Sequence, residues 1–128
     1  MKIPFLDFAP MHDPIKKEME RAFSSVYESN WFILGEHVQK FEKEYALFSG
    51  TRFSIGVSNG LDALILSLKA LAIGEGDEVI VPSNTYIASA LAVTHVGAKP
   101  VFVEPDQATF NMAPNNIENA IDFIFAPI

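Results

Sequence analysis

The chain has no cysteine. That excludes disulfides, thiolate zinc sites and a cysteine nucleophile, and it fits a cytosolic setting. Basic residues are scarce: nine Lys and Arg stand against sixteen Asp and Glu, for a formal net charge of -7. Phosphate backbones need a basic face, so nucleic acid is not an expected partner. Long apolar runs are missing too. Stretches such as residues 88–93 fall far short of the ~20 apolar residues of a spanning helix, so no membrane partner is expected. The opening Met1-Lys2-Ile3-Pro4-Phe5 carries no signal-peptide apolar segment. A cytoplasmic location is the expectation. Internal repeats and low-complexity tracts are absent as well.

What remains is rich in core-forming residues. Apolar residues make up 49% of the 128, and eleven are Phe. This is the composition of a folded globular chain, long enough for one domain with one core. The proline-bracketed residues 3–10 read as an extended arm. Asp13-Pro14 reads as a helix start, a cap residue followed by proline at the first helical position. Ile15, Met19, Ala22, Phe23 and Val26 then recur at helical spacing, which predicts one buried face. A second helix carries Val38, Phe41, Tyr45 and Phe48 and ends at Gly50.

The pattern changes after residue 50. Short apolar runs at residues 53–57, 78–81 and 100–103 predict strands. Helical patterns from Leu61 to Leu71, from Tyr86 to His95 and from Pro114 to Ile121 alternate with them. Such alternation predicts an α/β fold with a mainly parallel sheet flanked by helices. The expected division is an arm and two helices in residues 1–50, βα units in 51–121 and an atypical tail in 122–128. The tail reads as a further strand, and a sheet ending there would be incomplete. Its open edge would invite self-pairing, so a homodimer or higher oligomer is expected.

Three local features bear on chemistry. In Val57-Ser58-Asn59-Gly60-Leu61 a strand feeds a helix through a polar turn, leaving helix-start N–H groups for an anion. Gly60 would let a phosphate come close to the backbone, whereas Asp62 would repel it unless turned away. An ordinary capped turn has the same sequence pattern. Tyr86 follows the strand end at Pro82, where open α/β sheets bind ligands. It either stacks on a flat ring or packs over a loop. The apolar loop Trp31-Phe32-Ile33-Leu34-Gly35 is a lid, a subunit contact, a substrate wall or core. His12, His37 and His95 lack metal-ligand spacing, and no metal site is expected.

Several segments, in this order and spacing, resemble the DegT/DnrJ/EryC1/StrS family. They are Trp31-Phe32-Ile33-Leu34-Gly35, Phe41-Glu42-Lys43-Glu44-Tyr45, Ser58-Asn59-Gly60-Leu61-Asp62-Ala63-Leu64, Gly76-Asp77-Glu78-Val79-Ile80-Val81-Pro82 and Gly97-Ala98-Lys99-Pro100-Val101-Phe102-Val103. The resemblance spans about residues 3–121. Asn84-Thr85-Tyr86-Ile87-Ala88-Ser89 and Val103-Glu104-Pro105-Asp106 are similar to the branch that makes dTDP-3-amino-3,6-dideoxyhexoses.

The resemblance implies the N-terminal portion of a fold-type I pyridoxal-phosphate-dependent transferase large domain. It implies a parent enzyme that moves an amino group from glutamate to a nucleotide-linked keto-deoxysugar, working as a homodimer. It assigns Asn59, Gly60 and Leu61 to the cofactor phosphate, Tyr86 to the pyridine ring, and Trp31 and Phe32 to the substrate side. The family's Schiff-base lysine lies downstream, and none of Lys2, Lys16, Lys17, Lys40, Lys43, Lys69 and Lys99 stands at its position. No catalytic residue is therefore assigned, and residues 1–128 by themselves are expected to be inactive. Whether they hold pyridoxal phosphate at all is left open by the resemblance. A dehydratase parent and a non-catalytic dimerising or phosphate-binding remnant are the alternatives.

Overall fold

The computed structural model describes residues 3–124, with side chains described through residue 121. The chain divides into two compact units, Met1–Gly56 and Val57–Ile128.

The first unit is helical among its described residues. A short helix α1 (Ala9–His12) runs through a 3-10 turn (Asp13–Ile15) into α2 (Lys16–Ser29), and α3 (Glu36–Ser49) follows. Helix therefore begins earlier than the prolines suggested. Pro10 and Pro14 both sit in first turns, where a missing N–H costs nothing. Asp13, expected as a cap, instead closes α1 from an αR backbone, and no side chain caps α2. Asn30 ends α2 in the left-handed region. Gly50 ends α3 at φ 66, with its N–H on the Leu47 carbonyl and the Thr51 N–H on that of Ala46.

Rings at helical spacing meet along both helices. Phe23 and Tyr27 lie 5.9 Å apart, and Phe41 and Tyr45 lie 5.6 Å apart. The face of α2 was expected to be buried and is not: Phe23 is 70% exposed, and on α3 Phe48 is 85% exposed. Helical periodicity marks a face that wants a partner layer, and no layer among the described residues of this unit covers this one.

The second unit is a βαβ arrangement with two further helices. Helix α4 (Gly60–Ala70) leads to β1 (Glu78–Pro82), and α5 (Ala88–His95) crosses over to β2 (Lys99–Val103). Helix α6 (Pro114–Ile124) follows. The strands pair in parallel from Glu78 opposite Lys99 to Pro82 opposite Val103. A parallel pair needs such a crossover, since no tight turn can return the chain to the same end of the sheet. The described fold is thus α/β, with a small parallel sheet and helices, as the strand–helix alternation predicts.

Small side chains let α5 lie close to the sheet: Ala90, Ala92 and Val93 are its buried residues. Val93, Ala98 and Val81 form the core, flanked by Leu68, Ile73, Val79 and Val96. Gly97 turns the chain from α5 into β2 at φ 84, a conformation that suits glycine.

One expected strand is absent among the described residues. Residues 53–57 are irregular, and the Gly56 N–H donates to the Glu42 carboxylate at 2.8 Å rather than to a neighbouring strand. A strand exists through its ladder, and no partner strand is offered among the described residues. In the tail, α6 continues through Ile124, so the start of the expected 122–128 strand is helical. The rest of that segment lies outside the described residues.

Candidate functional site

Asn59 caps α4 from an extended backbone, and its Oδ1 accepts the Asp62 N–H at 2.9 Å. The Ala63 N–H closes the first helical turn on the Asn59 carbonyl. The Asp62 carboxylate accepts from the Ser58 hydroxyl and from Asn59 Nδ2. The cap is therefore reciprocal, a variant of the capping box, and it holds the carboxylate on Ser58 and Asn59.

Helix geometry leaves the N–H groups of Gly60 and Leu61 without intrahelical acceptors. No hydrogen bond among the described residues takes them. A Cβ built on Gly60 would meet nothing within 4 Å, and Gly60 does not have positive φ. The glycine is thus not required by its own fold, and its missing Cβ leaves empty space at the helix start that carries the two free donors. That donor set suits an anion oxygen at the positive end of a helix. Residues 53–57 being irregular, the turn joins coil to helix rather than strand to helix.

Tyr86 lies just ahead of α5, not within it, and the residue is 80% exposed. It does not pack over a loop. Its backbone neighbourhood is fixed, however. The Ser83 N–H extends the β1–β2 ladder to the Val103 carbonyl at 2.9 Å. The Thr85 and Ser89 hydroxyls lie 2.8 Å apart, and the Ser89 N–H reaches the Tyr86 carbonyl at 3.0 Å. A free ring on a held backbone can offer its face to a planar ligand. Tyr86 and the Asn59 turn belong to one unit, whose helices α4 and α5 pack on each other. No hydrogen bond joins the two features among the described residues.

Trp31 and Phe32 lie in the Met1–Gly56 unit. Of their loop only Gly35 is buried; the four large side chains are exposed, so the loop is not core in this unit. The loop is nevertheless shaped. The Trp31 N–H donates to Ser29 Oγ at 3.1 Å, and a Cβ on Gly35 would stand 2.9 Å from the Trp31 carbonyl oxygen. Phe32 leans on Tyr27 at 6.3 Å between ring centroids. His95 Nδ1 contacts the Leu91 carbonyl at 2.7 Å, and His37 Nε2 lies 3.2 Å from Ser25 Oγ. No cluster of metal-ligating side chains occurs among the described residues.

Sequence reasoning missed the loop at residues 105–112. Asp106 accepts from the Thr109 N–H at 2.8 Å, the Thr109 hydroxyl at 3.0 Å and the Ala108 N–H at 3.1 Å. These bonds, those from Thr109 foremost, hold its carboxyl below the usual aspartate range. The visible signal was an Asp followed by Thr three residues on, a side-chain turn pattern. A depressed folded-state pKa stabilises the loop above the unfolded value and stops doing so as pH falls through the folded one. Amide exchange at Ala108 and Thr109 is therefore expected to accelerate selectively below the ordinary aspartate pKa. Asp106→Ala should show that fast exchange already at neutral pH.

The sequence model of the DegT/DnrJ/EryC1/StrS aminotransferase family matches residues 13–123. The chain belongs to this family. A family relative, the dTDP-3-amino-3,6-dideoxy-alpha-D-galactopyranose transaminase of Aneurinibacillus thermoaerophilus, is 53% identical over 119 residues, which cover 93% of this chain and 33% of the relative. The S. venezuelae DesV structure, solved in complex with a ketimine intermediate, superposes with a TM-score of 0.88 at 44% identity, covering 93% of this chain and 32% of DesV. The ntda structure from Bacillus subtilis, with bound cofactor PMP, gives 0.86 at 32% identity, covering 93% of this chain and 28% of that one. The chain thus spans about a third of the length of the relatives it matches. No helix among the described residues is long and apolar enough to cross a membrane.

Proposed function

We propose that the chain is the N-terminal part of a pyridoxal-phosphate-dependent aminotransferase, one that moves an amino group from glutamate to a nucleotide-linked keto-deoxysugar. Similarity to the Aneurinibacillus transaminase supports a sugar of the dTDP-3-amino-3,6-dideoxyhexose class. The reading includes the cytoplasmic setting expected from the sequence, and also a homodimer or higher oligomer. The exposed aromatic faces of α2 and α3 support the latter, because apolar patches of this kind mark interaction surfaces.

One observation carries the site. Two helix-start N–H groups, at Gly60 and Leu61, have no hydrogen-bond acceptor among the described residues, the Cβ position of Gly60 is empty, and the neighbouring carboxylate is tied to Ser58 and Asn59. These residues fit the phosphate end of the cofactor: the donors bind oxygen, and Asn59 keeps the turn in place. Tyr86 would orient the pyridine ring by stacking on one face. Trp31 and Phe32 are assigned to the substrate side. When bound, pyridoxal phosphate supplies the electron sink that amino transfer requires. Residues 1–128 by themselves are expected not to turn over.

The ring contact is tested by calorimetry on the 128-residue chain. Tyr86→Ala is expected to weaken pyridoxal phosphate binding by about five- to tenfold, the range of one aromatic stacking contact, and to leave inorganic phosphate binding unchanged. Equal losses for both ligands would remove the ring-stacking role.

A further inference from the structure

We propose that Asn84 is a positioning residue for Tyr86, tying the turn that carries the ring to a rigid acceptor on the loop 105–112. The proposal rests on the cofactor reading of Tyr86 given above. Tyr86 is 80% exposed and gains little direction from packing, so what the fold can fix is the position of its Cα–Cβ bond, through the backbone beneath it. Hydrogen bonds to the sheet and to α5 hold the turn on two sides. Asn84 supplies the third: its Nδ2 donates to the Phe110 carbonyl, 26 residues away, at 3.1 Å.

The acceptor is unusually well held. Phe110 sits at φ 57, a left-handed conformation that disfavours a bulky side chain and persists only where its surroundings impose it. Those surroundings are present. The Phe110 N–H donates to the Asp106 carbonyl at 2.8 Å, and the Asp106 N–H donates to the Asn111 carbonyl at 2.9 Å. Pro105 and Met112 form an antiparallel bridge across the loop base. The Asp106 carboxylate collects Ala108 and Thr109. From α6, Asn116 Nδ2 donates to the Glu104 carbonyl at 2.7 Å, anchoring the entry to the loop. A constrained loop thus offers one fixed carbonyl to the ring-bearing turn. Asn84 is exposed and two residues before Tyr86, so burial does not explain the bond. Pre-organising a contact residue through a neighbour of this kind raises affinity by lowering the ordering cost of binding.

The test uses the full 128-residue chain with Asn84→Leu, which keeps the branched shape without polar atoms, and Asn84→Ala as a second variant. Two readouts are taken: amide exchange at Ser89, whose N–H bonds to the Tyr86 carbonyl, and affinity for pyridoxal phosphate and for inorganic phosphate. Both variants are expected to speed Ser89 exchange several-fold and to weaken pyridoxal phosphate about fivefold, the worth of one hydrogen bond, with phosphate unchanged. In a Tyr86→Ala background the Asn84 changes should cost nothing further. Unchanged Ser89 exchange, equal losses for both ligands, or a full loss in the Tyr86→Ala background would each overturn the positioning role. An unsubstituted chain that binds neither ligand would instead sink the cofactor reading, and with it the purpose assigned to Asn84.

Discussion

Val93→Asp is expected to destabilise the Val57–Ile128 unit by at least about 3 kcal/mol, enough to abolish its cooperative unfolding transition. Val93 is 2% exposed and lies where α5 meets the sheet, against Val81 and Ala98. No buried polar side chain exists among the described residues to pair with a carboxylate there. The group would have to take a proton, drag in water or leave the core, and each route opens the α5 contact. The effect is large because the core is small. Among the described residues few other side chains of this unit are fully buried, so little apolar contact remains to offset the loss. Whole domains hold only about 5–15 kcal/mol in reserve. Urea denaturation followed by far-ultraviolet circular dichroism measures it, with Val93→Ala as a milder control at about 2 kcal/mol. A Val93→Asp midpoint matching the parent chain would mean that α5 is not packed as described.

Gly60→Ala is expected to act the other way round, lowering affinity without lowering stability. The new methyl occupies empty space at the helix start that carries the Gly60 and Leu61 donors, where it would crowd a bound phosphate. Losing one charge-assisted hydrogen bond costs about 1.5–3 kcal/mol, or roughly ten- to a hundredfold in affinity. Gly60 does not have positive φ, so alanine meets no backbone penalty and reduces the entropy of the unfolded chain. The melting temperature should therefore hold or rise. Calorimetry with inorganic phosphate and with pyridoxal phosphate measures the affinity, and thermal denaturation measures the stability. A glycine needed only for folding would give the opposite pair of results.

Much of the fold could be read from local chemistry. The Gly50 and Gly97 caps, the apolar run at residues 78–81 and the crossover pattern each point to elements that are present. That the Asn59 turn is capped was also legible, because capping depends on residues three apart. What failed depended on partners. Residues 53–57 have strand-like composition, but a strand requires a neighbour, and Gly56 bonds Glu42 instead. The stripe through Met19 and Phe23 was rightly helical, yet periodicity says which face seeks cover and not what covers it. The Asn84–Phe110 link spans 26 residues, and nothing local to either residue announces it. Asp62 could be read as a helix-start acid, but its tie to Ser58 and Asn59 depends on side-chain directions that spacing alone leaves open.

The central claim is that the start of α4 receives the phosphate of pyridoxal phosphate. The most direct measurement is a proton–nitrogen NMR titration of the chain with that cofactor, repeated with inorganic phosphate. The account predicts that the Gly60 and Leu61 amide signals move first and furthest with both ligands, and that signals around Tyr86 move only with the ring-bearing one. Shifts centred elsewhere, with Gly60 and Leu61 unmoved at saturation, would contradict it.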